Sequence, residues 1–334
     1  MKALVTGGGG FLGGAIVRRL HARGDEVRSF SRGDYLELRS LGVETIQGDL
    51  GDPGAVTSAA QGCDIVFHVA AKAGIWGPYQ EYYRANVLGT VNVIAACRSC
   101  RINRLVYTSS PSVVFNGQDM EGVDETAPYP RHFEASYPQT KAQAEKLVLE
   151  ANSDDLAIVA LRPHLIWGPG DQHLIPRIIA RAKVGALRRI GRRPLLVDSV
   201  YVDNAAQAHL LAADRLQPGF PISGKKYFIS QGEPRPLWDL INMILEAAGV
   251  PPVTRHISPG LAYAVGWFYE KMYRLLQKKG EPPMTRFLAR ELSTAHWFDI
   301  SAARRDLGYE PAISFEEGIS RLTEWLKTDQ NAGR

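Results

Sequence analysis

Long apolar runs, blocks of like charge and cysteines are all scarce in this chain. No stretch of 18 or more apolar residues occurs in its 334 positions, so no segment reads as a membrane-spanning helix. Basic and acidic residues nearly balance, 39 against 35, and no block of one sign runs through the sequence. The net charge of +4 carries no electrostatic footprint for nucleic acid. Three cysteines, an odd number, point to a reducing compartment rather than a disulfide framework. The first strand begins at residue 2 and no leader of secretory type precedes it, so we expect a cytoplasmic protein. Cys97 and Cys100 form a C-x-x-C at the end of a helical run over 91–101, where the helix dipole raises a thiol pKa rather than lowering it. No second cysteine pair completes a zinc site, and no metal is expected.

Glycine, by contrast, is concentrated where it has meaning. The chain opens MKALVTGGGGFLGG, in which a β-favouring apolar run at 2–6 passes straight into Gly7, Gly10 and Gly13 at G-x-x-G-x-x-G spacing. Apolar residues at helical spacing follow, up to Gly24. A strand, a glycine turn and a helix in that order make the context that a dinucleotide pyrophosphate requires. Backbone without Cβ atoms lets the phosphates approach, and the free N–H groups of the helix start favour the anion.

Strand and helix then alternate. Strands are expected at 26–30, 43–47, 65–69 and 104–107, with helices over 36–41 and 53–61. Such alternation predicts right-handed βαβ units and a doubly wound, Rossmann-like parallel sheet whose ligand crosses the carboxyl ends of the strands. An acidic residue about 20 positions after the glycines would select NAD by accepting bonds from the ribose 2′-OH. That place holds Ser31 and Arg32. A serine without charge repulsion and a guanidinium suited to a 2′-phosphate favour NADPH, with NAD remaining open. Asp49 and Leu50 follow the third strand, at the position of an adenine edge. Ala70 and Ala71 follow the fourth, small enough for backbone to pass close to ribose and nicotinamide.

The segments Thr6-Gly7-Gly8-Gly9-Gly10-Phe11-Leu12-Gly13, Gly48-Asp49-Leu50, His68-Val69-Ala70-Ala71, Tyr107-Thr108-Ser109-Ser110 and Tyr137-Pro138-Gln139-Thr140-Lys141 together resemble the extended short-chain dehydrogenase/reductase family. Leu161-Arg162-Pro163, Gly168-Pro169-Gly170 and Tyr201-Val202-Asp203-Asn204-Ala205 extend the resemblance over nearly the whole chain. It implies a cofactor site made of Gly7, Gly10, Phe11, Leu12, Gly13, Ser31, Arg32, Asp49, Leu50, Ala70, Ala71, Tyr137, Lys141 and Pro163. Tyr137 and Lys141 lie four apart on one helix face. A phenol with an ordinary pKa of about 10 needs help to move a proton at neutral pH, and an adjacent ammonium supplies it. By resemblance Tyr137 is the acid in reduction, Lys141 its tuner and a ribose contact, and Ser110 the residue that orients the carbonyl. Ser109 is the rival for that last role.

Behind residue 160 the alternation weakens and Pro and Gly cluster. The resemblance implies a nucleotide domain over 1–165, with segments returning near 199–215 and 296–310, and a discontinuous substrate region over 166–198 and 222–295. Returning strands are expected near 199–202 and 297–300. Arg188, Arg189, Arg192 and Arg193 form a basic cluster, either a solvated loop or the holder of an anionic substrate group. Residues 261–276, LAYAVGWFYEKMYRLL, read as an amphipathic helix that packs in the core, covers the cleft or lies on a membrane surface.

Within the family, the pieces Lys72-Ala73-Gly74-Ile75-Trp76-Gly77, Trp167-Gly168-Pro169-Gly170-Asp171-Gln172 and Glu281-Pro282-Pro283-Met284-Thr285-Arg286-Phe287 are most similar to the 3β-hydroxysteroid dehydrogenase-like branch, and there to reductases of 2-alkyl-3-oxoalkanoates. That resemblance implies NADPH-dependent reduction at C3 of a small hydrophobic keto acid, or the reverse on a hydroxy substrate, by a homodimer. Oxidation of 3β-hydroxysteroids or sterol-4-carboxylates, sugar-nucleotide epimerisation or dehydration, and a non-enzymatic NADP sensor are the alternatives.

Overall fold

The computed structural model describes residues 1–332. Seven strands make the main sheet: β1 Lys2–Thr6, β2 Glu26–Ser31, β3 Glu44–Gln47, β4 Ile65–His68, β5 Arg104–Thr108, β6 Ala157–Pro163 and β7 Lys226–Ile229. All neighbours are parallel, in the order β7-β6-β5-β4-β1-β2-β3. The chain therefore runs outward one way from β1 to β3, then jumps back to β4 and runs the other way. A crevice opens at the carboxyl ends between β1 and β4, where the direction reverses.

Both faces of the sheet are covered, which is why its strands read as near-continuous apolar runs. On β1, Ala3 and Val5 face a core shared with Ile16, Leu20 and Ala205, while Leu4 faces the opposite core with Val93, Ala144 and Val148. The first core is closed by the helices Phe11–Ala22 and Val202–Arg215, the second by Pro53–Ala60, Gly89–Ser99 and Ser136–Glu150. Pro53–Ala60 starts where it does because Asp52 accepts the N–H groups of Gly54 and Ala55 and Pro53 occupies the first turn.

A smaller third core gathers Ile190, Val197, Leu237, Trp238, Ile241, Leu245 and Ala262. It belongs to the irregular part of the chain, where small sheets replace the large one. Arg235–Pro236, Leu196–Val197, His296–Phe298 and Met120–Val123 form one; Ile166–Trp167 with Val200–Tyr201 and Arg189–Ile190 with His256–Ile257 form two others.

Two expectations are corrected here. The strands near 200 and 297 exist but pair within these small sheets, and the last strand of the main sheet is Lys226–Ile229, inside the stretch expected to belong to the substrate region. The reason is burial. Tyr227, Phe228 and Ile229 are essentially fully buried and pair with Leu161 to Pro163, a place that strands of two or three residues at 200–201 and 296–298 do not fill.

Candidate functional site

The crevice is a cleft of about 980 Å³, and its walls include every residue that the sequence marks for cofactor or chemistry. Its floor is the glycine turn. Gly7 has φ +71°, a conformation for which a side chain is strained, and a Cβ there would stand 2.9 Å from the Ala70 Cα. At Gly13 a Cβ would fall 2.1 Å from the Gly7 carbonyl oxygen, so the helix could not close on the strand. Gly10 caps the helix Phe11–Ala22 without a side-chain bond, and no acidic residue sits in the first turn. The helix start therefore offers bare N–H groups and uncompensated positive potential to an anion.

At the end of β2 the Ser31 hydroxyl accepts the Gly9 N–H at 3.2 Å. Arg32 is exposed on the cleft wall and makes no ion pair among the described residues. The Tyr35 ring lies over Gly9, close enough that a Cβ on Gly9 would sit 2.0 Å from it. Asp49, Leu50 and Arg84 complete that end, and Val69, Ala70 and Ala71 the middle.

The loop after β4 is held by polar side chains that the sequence reading overlooked. The Thr6 hydroxyl bridges the Ala70 N–H at 3.2 Å and His68 Nδ1 at 2.8 Å, and His68 Nε2 meets Thr90 Oγ1 at 2.9 Å. Burial and the Lys141 charge push His68 down to about 3, so it is neutral. Asn86 accepts the Lys72 N–H and donates to the Lys72 carbonyl and the Thr140 hydroxyl. It stands in a π-helical turn, Tyr83–Leu88, a local irregularity often found beside working sites.

Ser110, Tyr137 and Lys141 meet at the other end, with Pro163. Ser110 follows β5 and caps the short 3₁₀ turn Pro111–Val113; its hydroxyl meets Ser112 Oγ at 3.0 Å, accepts the Ser112 N–H, and lines the same cleft as Tyr137. Ser109 is buried, and its hydroxyl is covered from solvent without a hydrogen-bond partner among the described residues, whereas Ser110 is only half-buried. The geometry thus separates two serines that motif counting left as rivals. Tyr137 is partly open to the cleft; burial raises its phenol pKa, the neighbouring Ser110 hydroxyl lowers it and the Glu291 charge raises it again.

Lys141 is 2% exposed and donates to the Thr108 carbonyl at 2.6 Å, with its ammonium 4.2 Å from the Tyr107 ring centre. Burial pushes it down to about 7 against the pull of Glu145. The expected tuning of Tyr137 by this ammonium is not what the structure displays: the cation is directed to a backbone carbonyl, and the Ser110 hydroxyl is what lowers the phenol.

Beneath Lys141 lies an ion pair that the helix spacing could have flagged, since Tyr137, Lys141 and Glu145 recur every four residues. Glu145 and Arg162 are both fully buried, joined at 2.9 Å and 2.6 Å, and Tyr129 donates to the same carboxylate at 2.6 Å. On the other side of Tyr137 a second buried group was also missed. Asp198 holds His164 with one oxygen and accepts the Phe298 N–H with the other, while burial raises Glu291 to about 7.

Three sequence features lie elsewhere. None of Arg188, Arg189, Arg192 and Arg193 lines the cleft: Arg188 donates to the Gly185 and Leu187 carbonyls, Arg189 is paired in a small sheet, and Arg193 pairs with Asp119. Cys97 is fully buried and its thiol is pushed up to about 12 by burial, so the C-x-x-C has no accessible thiolate pair. No group of three or more His, Cys, Asp or Glu among the described residues could hold a metal.

The sequence pattern of the 3-beta hydroxysteroid dehydrogenase/isomerase family matches residues 4–258, from β1 through the cleft walls into the substrate region. The chain belongs to that family. It is 54% identical to a 2-alkyl-3-oxoalkanoate reductase of Shewanella oneidensis, over 96% of this chain and 85% of the relative. It is likewise 54% identical to a 2-alkyl-3-oxoalkanoate reductase of Stenotrophomonas maltophilia, over 96% and 98%. Among solved structures, MoeE5 in complex with UDP-glucose and NAD superposes with a TM-score of 0.75 at 25% identity, covering 99% of this chain and all of that one.

Proposed function

We propose that this chain is an NADPH-dependent reductase that converts the C3 keto group of a 2-alkyl-3-oxoalkanoate to the hydroxyl. The observation that carries the proposal is one cleft in which a glycine cradle that excludes Cβ atoms ends against Ser110, Tyr137 and Lys141. The 54% identical relatives of that name support the substrate class.

A nicotinamide dinucleotide fits the donor set: the pyrophosphate on the Gly7, Gly10 and Gly13 turn with Phe11 and Leu12, the adenosine between Ser31, Arg32, Asp49 and Leu50, the nicotinamide end beside Ala70, Ala71 and Pro163. When bound it supplies the hydride. Arg32, exposed and unpaired with no carboxylate at its side, supports the phosphorylated form of the cofactor over NAD.

The chain's own groups handle the proton. Burial and Glu291 keep the Tyr137 phenol protonated at neutral pH, the form a reductase needs to deliver a proton to the carbonyl oxygen. The Ser110 hydroxyl, on the same cleft wall as Tyr137, orients the same oxygen. Lys141 is held in place by the Thr108 carbonyl on the cleft wall and would hold the ribose of a bound cofactor. The substrate enters between the main sheet and the region of residues 166–198 and 222–295. The resemblance also supports assembly as a homodimer, with Leu88 and Val91 exposed at the start of the helix Gly89–Ser99 as the surface to probe.

The test is a panel of 2-alkyl-3-oxo acids, 3β-hydroxysteroids and UDP-sugars with NADPH and NADH. NADPH-dependent turnover of the keto acids is expected, with kcat/KM rising up to about tenfold for two added methylenes until the site is full. Turnover of UDP-sugars alone would replace this reading. Oxidation of 3β-hydroxysteroids is the second reading, favoured by the matching family pattern.

A further inference from the structure

The cleft wall is short of cations where an acid needs one. Arg32 and Arg84 stand at its adenosine end, Lys141 is committed to the Thr108 carbonyl, and Lys72 is paired with Glu81 at 2.9 Å. Just outside the wall, two guanidinium groups are incompletely paired. The helix Leu174–Lys183 begins after His173, a cleft residue, and carries Arg177 and Arg181 one turn apart with no acid of its own. Arg177 Nη1 pairs with Glu281 at 2.6 Å, but Nη2 of the same group is covered from solvent and has no hydrogen-bond partner among the described residues. Arg181 makes no ion pair among the described residues; burial and the Arg177 charge disfavour its cation, and Glu281 favours it. Two cations therefore share one carboxylate.

That carboxylate comes from a distant part of the chain. Glu281 lies between the helices Pro259–Leu275 and Arg286–Glu291, and its Oε1 accepts the Ile75 N–H at 3.2 Å, two residues past Ala73 of the cleft wall. The loop after β4 is shaped to receive it: Gly74 has φ +127°, and a Cβ there would stand 2.9 Å from the same oxygen. One carboxylate thus bridges two walls of the cleft, the loop after β4 and the start of Leu174–Lys183. The Arg177 and Glu281 side chains are 34% and 35% exposed, so water reaches the pair and it exchanges readily. An unmet N–H donor, a spare guanidinium and an exchangeable acid describe a carboxylate site that the protein fills with its own side chain.

We propose that Arg177 and Arg181 form an entry site at the mouth of the cleft for the carboxylate of a long-chain acid, and that Glu281 is the competitor which an incoming acid displaces. The fork of Arg177 then meets both oxygens, through Nη2 as well as Nη1, and Arg181 supplies the second charge. Cations at a mouth raise the local concentration of an anionic substrate, so the site acts on capture rather than on the chemical step at Tyr137. It takes the part expected of the arginines at 188–193, which face elsewhere. That the acid is a 2-alkyl-3-oxoalkanoate rests on the function proposed above; the carboxylate site itself does not.

Calorimetric titration of the full chain with 2-butyloctanoate, a branched acid without a keto group, and with its methyl ester tests the site without turnover. The readout is the ratio of acid to ester affinity, and NADPH binding read by fluorescence quenching shows that each variant folds. Arg177→Gln should lower the ratio at least about tenfold and Arg181→Gln about threefold. Arg177→Lys, which keeps the charge and loses the fork, should fall between wild type and Arg177→Gln. Glu281→Gln still offers an oxygen to the Ile75 N–H but carries no charge, and it should raise the ratio about threefold. The opposite signs are decisive, because an ion pair that only braces the fold is damaged alike by the loss of either partner. A lower ratio in Glu281→Gln, an unchanged ratio in Arg177→Gln, or no preference of the wild type for acid over ester overturns the proposal. Acid binding as expected without turnover of 2-alkyl-3-oxo acids would leave the entry site standing and overturn the substrate reading.

Discussion

Lys141→Met should make the protein more stable near neutral pH while abolishing its turnover. The ammonium is buried at 2% exposure, and its pKa falls from the ordinary 10.5 to about 7. At 1.36 kcal/mol per unit, carrying this group into the fold costs about 5 kcal/mol at or below pH 7. Its bond to the Thr108 carbonyl returns about 1.5–3 kcal/mol, which methionine forfeits. Methionine fills a similar volume without a charge, so the expected net gain is about 2 kcal/mol. For 334 residues, with unfolding entropy near 2.1 cal/mol/K per residue, that is a Tm increase of about 3 °C. The sign of the pH dependence is a second handle. Between about 7 and 10.5 the unfolded chain binds the lysine proton and the folded one does not, so wild-type stability from this group rises with pH across that window and is flat below it. The variant lacks the rise, and its advantage should shrink toward pH 10. Thermal unfolding without nucleotide at pH 6.5, 8 and 10 reads both effects. A variant less stable than wild type at pH 6.5, or with the same pH slope, would refute the reasoning.

Tyr137→Phe should keep NADPH binding and lower kcat at least about a hundredfold, because the ring still packs while the transferable proton is gone; retention of more than about a tenth of the rate argues against Tyr137 as the acid. Ser31→Asp with Arg32→Ala should move cofactor preference from NADPH toward NADH, as a charge-assisted bond of about 1.5–3 kcal/mol is removed and a carboxylate is offered to the ribose hydroxyls; unchanged KM values for both cofactors would count against that site. Gly13→Ala, whose Cβ would stand 2.1 Å from the Gly7 carbonyl oxygen, should abolish nucleotide binding as read by fluorescence quenching, and undiminished affinity would show that the turn can open. Glu145→Gln leaves a fully buried Arg162 without its countercharge and should cost about 3–5 kcal/mol of stability, measured in urea.

The glycine turn, the βαβ alternation, the Ser31-Arg32 ending of the second strand and the Tyr137-Lys141 pair were legible because each is a local device. Its spacing reports backbone conformation or one helix face directly. The family resemblance added roles for those residues, and the fold places all of them on one cleft. Whatever depends on which way a side chain turns after a long loop was not legible. Ser109 and Ser110 are adjacent, and only the pairing of the Ser109 N–H with the Leu161 carbonyl ties the first into the sheet, where its side chain is buried, and leaves the second half-buried on the cleft wall. The basic cluster at 188–193 is dispersed by carbonyls, a two-residue sheet and Asp119, partners that no local pattern announces. Lys226–Ile229 reaches the sheet only because the Ala157–Pro163 strand leaves an open edge that three large apolar side chains can cover. The sequence by itself determined that the chain has a nucleotide-binding crevice and where its glycines lie, since those are matters of sterics within a few residues. Only the tertiary structure decided which charges are buried beneath Lys141 and which apolar side chains of Pro259–Leu275 stay outside, because burial is set by what packs on top.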